Sequence, residues 1–245
     1  MRQTSLAERI ASLEAELTAY QDARYAARFC SAIDALAAAD AKSGVPGMRL
    51  TRLAAEALFK AMAYKDEYEV ARLYSDDAYR ADLNAAFSDP GSVRLMLAPP
   101  LLSRTDPATG RPQKRAFGPW VFPLLRVLAR CKGLRGTRFD PFGRTAERRS
   151  ERALVDTVLA DIARAGRQLP EAPYDLLCDL VEIGSRIKGY GVVKAAHHDK
   201  AMRRRQALLA RLEGEPQRAG WQGGARQRTE EGMASLPRAT VTAGP

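Results

Sequence analysis

"SLAERIASLEAELTAY", Ser5 to Tyr20, is the stretch on which the fold class turns. Ser5 and Glu8 have the spacing of a capping box, in which each side chain satisfies a free amide at a helix start. Leu6, Ile10, Leu13, Leu17 and Tyr20 then recur at steps of four and three, which gathers them on one helix face. The pattern predicts a single amphipathic helix from Leu6 to about Ala41, stopped by the Gly- and Pro-bearing "KSGVPG" of Lys42 to Gly47. A stripe this short is a packing face rather than a coiled-coil seam.

Outward from that helix the same reading continues. A second helix is predicted from near Thr51, with Leu53, Ala57, Leu58, Ala61 and Met62 inward, running through "AYKDEYEVARLY" to Tyr74. Ser75 with Asp76 and Asp77 reads as the cap and first turn of a short helix, because acidic groups favour that end. Asp89-Pro90-Gly91 is a turn, and Val93, Leu95 and Leu97 alternate as in a short strand ended by Pro99-Pro100. "DPATGRP" is a turn-rich loop. Pro119 starts a helix whose buried side is predicted as Leu124, Leu125, Val127, Leu128 and Cys131. "LRGTRFDPFG" is a stiff irregular segment. Thr145 caps a helix to about Ala165 with Leu154, Val158 and Ile162 inward. Another helix begins near Tyr174, "GYG" breaks the chain at Gly189 to Gly191, and a basic helix follows to about Leu212.

The fold class expected is mainly α, α+β at most. It is a helical domain over residues 1–213 with a strand near 93–97 and long Pro/Gly-rich ordered loops. A disordered tail over 214–245 is expected, since that stretch is poor in core-forming residues.

Composition supports a globular helical chain: 46% hydrophobic, 28% charged, only 7% aromatic. No run approaches the ~20 apolar residues of a membrane span, and the start has no apolar leader core, so a cytoplasmic protein is expected. Cys30, Cys131 and Cys178 are far apart and form no C-x-x-C pair. They can supply neither an iron–sulfur cluster nor a cysteine zinc site by themselves, and read as buried free thiols.

The net charge of +10 is focal. Between Arg111 and Arg152 stand twelve Lys and Arg against Asp140, Glu147 and Glu151, a surplus of nine. Lys114, Arg115, Arg135, Arg138, Arg144, Arg148, Arg149 and Arg152 are the candidates for binding an anion or a partner, because guanidinium forks hold carboxylate and phosphate bidentately. Part of the cluster is expected to pair internally with the acidic stretch "YKDEYEVARLYSDDAYRAD", which holds Asp66, Glu67, Glu69, Asp76, Asp77 and Asp82. Phe117 and Trp120, set among the cations, are interface candidates. Nucleic acid is the next reading of a basic patch, but no reader motif accompanies it. His197 and His198 point about 100° apart on a helix and read as a solvated pair rather than a metal site. Tyr64, Lys65, Asp66 and Glu67 could serve acid–base chemistry, but with no histidine or nucleophile nearby the ion-paired reading prevails. No catalytic residue and no metal ligand is assigned.

The words "KAMAYKDEYEVARLY", "LAPPLL", "KRAFGPW", "LRGTRFDPFGRTAERRSER" and "IKGYGVVK", in that order, resemble the C-terminal region of indolepyruvate ferredoxin oxidoreductases, a domain of unknown function after the catalytic parts. "LTAYQDARYAARF" fits its upstream edge, and the likeness covers about residues 6–194. The resemblance implies a setting of oxidative decarboxylation of aryl 2-oxoacids to acyl-CoA, with thiamine diphosphate, iron–sulfur clusters and ferredoxin. This chain has no "GDG" thiamine word and no cluster spacing, so those cofactors are expected only in an associated catalytic portion. The expectation is an accessory module, non-catalytic alone, with an Arg-rich face for that partner or for coenzyme A phosphates. The alternative is a free-standing polyanion- or nucleic-acid-binding protein.

Overall fold

The capping box forms. Ser5 Oγ accepts from the Glu8 amide at 3.1 Å, and the Ser5 amide donates to Glu8 Oε2 at 2.8 Å. In the computed structural model of the chain, which describes residues 4–86, 94–99, 113–189 and 191–214, the first helix, α1, is Leu6–Tyr20. It does not run on to Ala41. Gln21 leaves helical geometry (φ −131°, ψ −79°), and the Asp22 carboxylate accepts the Tyr25 amide at 2.7 Å to start α2, Ala23–Asp40. The break lets the two helices pack on each other, burying Leu13 and Leu17 against Ala26 and Phe29 in one core.

Helix α3, Arg49–Met62, is the central element: it packs on α1, α2, α7 (Ala146–Gln168) and α8 (Tyr174–Val181). Its Ala54, Ala55, Ala57 and Ala61 are buried, and their small size admits so many neighbours. The predicted continuation to Tyr74 is interrupted. Ala63 leaves the helix, and Asp66 Oδ1 accepts the Glu69 amide at 2.8 Å to begin α4, Glu67–Ser75. Ser75 closes α4 instead of capping the next helix; Asp76 stands before α5, Asp77–Ala86, and receives the Tyr79 amide at 3.4 Å.

Strand β1, Leu95–Leu97, is where a strand was expected. Its antiparallel partner β2, Arg115–Phe117, was not expected; Leu95 faces Phe117 and Leu97 faces Arg115. The Asp89-Pro90-Gly91 turn, Val93, Pro100, the "DPATGRP" loop and residues 215–245 of the expected tail lie outside the described residues.

Helix α6, Val121–Arg130, buries part of the face predicted, Leu125 and Leu128, but adds Val121 and leaves Leu124 and Val127 outside. Val121, Leu125 and Leu128 pack on Ala71 and Tyr74 of α4 and on Leu95, whereas Leu124 and Val127 are each 57% exposed. A 3₁₀ turn, Cys131–Leu134, leads into the irregular segment before α7, which Thr145 caps as predicted. A 3₁₀ turn follows α8 at Glu182–Arg186, and α9, Gly191–Gly214, ends the described chain. The fold is mainly α, with one two-stranded antiparallel sheet among the described residues. No helix among the described residues is long and apolar enough to cross a membrane.

Candidate functional site

The stretch Tyr64–Tyr68, linking α3 to α4, meets the Arg-rich segment 134–152. Arg135 forms a bidentate pair with Asp66, Nε to Oδ2 at 2.5 Å and Nη2 to Oδ1 at 2.9 Å. Its Nη1 donates to the Tyr20 carbonyl at 2.7 Å, and the guanidinium lies 3.7 Å from the Tyr20 ring centroid. Lys132 Nζ donates to the Ala19 carbonyl at 2.6 Å. Two cations therefore close the C-terminus of α1, where free carbonyls and the helix dipole favour positive charge.

Asp140 explains the stiffness of "LRGTRFDPFG". Its buried carboxylate accepts from the Gly136 amide at 2.8 Å, the Phe142 amide at 3.0 Å and the Tyr68 hydroxyl at 3.2 Å. A Cβ on Gly143 would stand 2.4 Å from Asp140 Oδ2, so the loop closes only with glycine there.

At the start of α7, Arg148 pairs with Glu67 at 3.4 Å and with Glu151, and Lys194 of α9 pairs with the other Glu151 oxygen. This Glu67–Arg148–Glu151–Lys194 chain ties α4, α7 and α9. Burial opposes the Arg148 charge, but Glu151 and Glu67 outweigh it and push the guanidinium pKa up. Beside the chain opens a cavity of about 510 Å³, lined by Ser150, Glu151, Leu154, Ile187, Lys194 and His198 among others. A second cavity, about 250 Å³, lies between α2, Tyr64, Gly136 and α7.

The predicted cationic candidates divide into separate groups instead of one patch. Arg135 and Arg148 are committed to the acidic stretch as internal pairs, and Asp66 already neutralises the buried Arg135 where it borders the smaller cavity. Arg152 is half-buried, donates through Nη2 to the Gly143 carbonyl at 2.7 Å and lines the smaller cavity. Arg138, Arg144 and Arg149 are exposed; Arg144 and Arg149 bond the carbonyls of Arg138 and Arg144. Lys114 and Arg115 are exposed at β2. Phe117 is partly buried in the small core over α4, while Trp120 is 63% exposed, its ring edge-on to Phe117 at 5.8 Å. Trp120, Leu124 and Val127 follow at steps of four and three and form an exposed apolar stripe.

The matching region frames all of this. Residues 6–207 match the family of unknown function DUF6537. The chain belongs to that family. No curated protein and no solved structure matches. The DUF6537 region spans α1 through most of α9, so both cavities, the four-residue ion chain and the α6 stripe are parts of it.

Glu67 pairs with the Arg cluster as the sequence suggested, but other residues of these sites escaped the reading: Glu151 and Lys194 meet across 43 positions, and Arg28 of the smaller cavity sits in an unremarkable helical stretch. The histidines face different partners: His197 Nδ1 is 2.7 Å from the Lys188 carbonyl, and His198 is 3.8 Å from Asp199. Cys178 is buried, which pushes its thiol pKa up to about 12; Cys30 and Cys131 are half-buried.

Proposed function

We propose that this DUF6537 chain is an accessory, non-catalytic module of an indolepyruvate-type ferredoxin oxidoreductase, acting in the cytoplasm by docking on the catalytic portion. The thiamine diphosphate and iron–sulfur clusters belong to that partner. Support comes first from the sequence resemblance. Three of its words, Lys60 to Tyr74, Leu134 to Arg152 and Ile187 to Lys194, meet in the ion pairs around Asp66, Glu67 and Glu151.

The observation that carries docking is the α6 stripe. Trp120, Leu124 and Val127 stand in solvent, and residues 113–139 around them hold seven Lys and Arg with no Asp or Glu. An aromatic and aliphatic centre with an arginine rim is the make-up of a protein contact, whereas idle surface is rich in Lys and Glu. The exposed Arg138, Arg144 and Arg149 would then meet an acidic partner surface or the phosphates of coenzyme A.

The test is titration of the full chain with the separately produced catalytic portion of the same organism. Wild type should bind, Trp120→Ala should weaken binding at least about thirtyfold (about 2 kcal/mol or more for an aromatic anchor), and raised salt should weaken it only in part. A folded Trp120→Ala variant that binds as wild type removes the anchor. No association at low salt, with binding to single-stranded nucleic acid instead, would move the reading to a polyanion binder.

A further inference from the structure

We infer that the smaller cavity is a pocket for a small oxyanion, a phosphate or carboxylate group. It stands apart from the docking reading, since none of its lining residues lies on α6. Its wall draws on four parts of the chain: Gln21, Tyr25 and Arg28 from the α1–α2 turn and α2, Tyr64 from the α3–α4 link, Arg135 with Gly136, and Arg152 with Asp156 on α7.

The first ground is charge. Three arginines and one aspartate line the cavity. Asp66 neutralises Arg135 from behind, which leaves Arg28 and Arg152 against Asp156. The Arg28–Asp156 pair is long, 3.5 Å, and its members are well exposed, so it holds Arg28 only loosely. Arg152 uses one nitrogen on the Gly143 carbonyl; its other donors have no partner among the described residues. One net positive charge faces the space.

The second ground is Tyr64. The hydroxyls of Tyr20 and Tyr25 beside it bond the Tyr64 and Met62 carbonyls, each at 3.0 Å. Tyr64 itself is only 8% exposed; its hydroxyl makes no hydrogen bond among the described residues, and its oxygen is not sealed from solvent. A phenol hydroxyl that no protein group engages, on a residue lining a cationic cavity, is a donor free to meet an occupant. Burial, with Asp66 next, raises its pKa, so it remains a neutral donor suited to an anion. A space of about 250 Å³ admits one such anionic group and no polymer.

The probes are inorganic phosphate and, in a second arm, acetate, titrated into the full chain and followed by calorimetry. At least one should saturate, and the tighter of the two names the source of the group. Tyr64→Phe, which deletes only the hydroxyl, should weaken binding about tenfold. Arg28→Gln, at an exposed position, should weaken it about threefold. Arg149→Gln, outside the cavity, should leave it unchanged. Circular dichroism confirms that each variant is folded. Saturation by neither probe, wild-type affinity in Tyr64→Phe or Arg28→Gln, or an equal loss in Arg149→Gln would each overturn the pocket.

Discussion

Asp40, fully buried at the last position of α2, does its work on a different helix. α3 begins after Met48, whose φ of +50° is unusual for a non-glycine residue and whose side chain caps nothing. Asp40 supplies the cap instead. Its Oδ2 accepts the Thr51 amide at 3.0 Å and the Thr51 hydroxyl at 2.8 Å; its Oδ1 accepts the Tyr174 hydroxyl at 3.0 Å. Tyr174 in turn receives the Leu50 amide at 2.9 Å. A carboxylate at a helix start satisfies free amides and meets the positive end of the dipole. Asp40→Ala should therefore cost about 2–4 kcal/mol in urea unfolding, and Asp40→Asn, which keeps one acceptor, less. If Asp40→Ala is as stable as wild type, α3 is capped by something else. The arginines allow a paired comparison. Arg135→Met strands Asp66 in a dry site and should cost about 3–5 kcal/mol, whereas exposed Arg138→Ala should stay within about 0.5 kcal/mol. Equal losses in the two variants would contradict the division of the cluster into internal pairs and free cations.

At the scale of elements, what the sequence could show was decided by whether the cause was local. The capping box before α1 and the Thr145 cap of α7 are complete within four residues, and both elements begin where they were predicted. The breaks at Gln21 and Ala63 were overrun because apolar periodicity continues across them; Asp22 and Asp66, each a cap three residues before its bonded amide, were the signals passed over. The inward face of α6 was readable only in part: Leu125 and Leu128 were placed inward, but "VFPLLRVLA" is apolar nearly all round, and only the arrival of α4 selects Val121 over Leu124 and Val127. β2 is three residues whose pairing depends on a distant strand. Gly184 shows how closely elements meet. It sits in the 3₁₀ turn after α8, and a Cβ there would lie 2.7 Å from Val158 Cγ2 on α7 and 3.6 Å from the Ala57 carbonyl on α3. Gly184→Ala should cost about 1–3 kcal/mol by overpacking, and adding Val158→Ala should return part of that loss. A thermal melt in which the double variant falls by the sum of the two single losses would show that the three elements do not meet there as described.

At the scale of the whole molecule, the acidic and basic stretches were legible as counterparts, because a block of one sign needs the other when both are buried. The cavities were not legible: Arg28, Tyr64 and Arg152 come together only through the packing of α2 and α7 around α3. The same packing concentrates weak acids in dry surroundings. Burial is the first cause that raises the pKa of Tyr20, Tyr25, Tyr64, Tyr68 and Tyr174, the last to about 12, and of Cys178, also to about 12. The raised values belong to groups that are neutral when protonated, so the folded state holds these protons more tightly than the unfolded chain. Their stabilising contribution is whole below the unfolded-state pKa values, about 8.5 for cysteine and about 10 for tyrosine. It falls as pH rises past those values toward the folded ones, each group adding about 1.4 kcal/mol of loss per pH unit while the two states differ in charge. Urea unfolding followed across the alkaline range should give stability that these groups leave flat up to about pH 8.5 and that falls ever more steeply above about pH 10. Tyrosinate absorbance from these residues should then appear together with the loss of helical circular dichroism. If all eight tyrosines ionise near pH 10 with the helices intact, the buried tyrosine network around α1, α3 and α4 is open to solvent and this account of its packing fails.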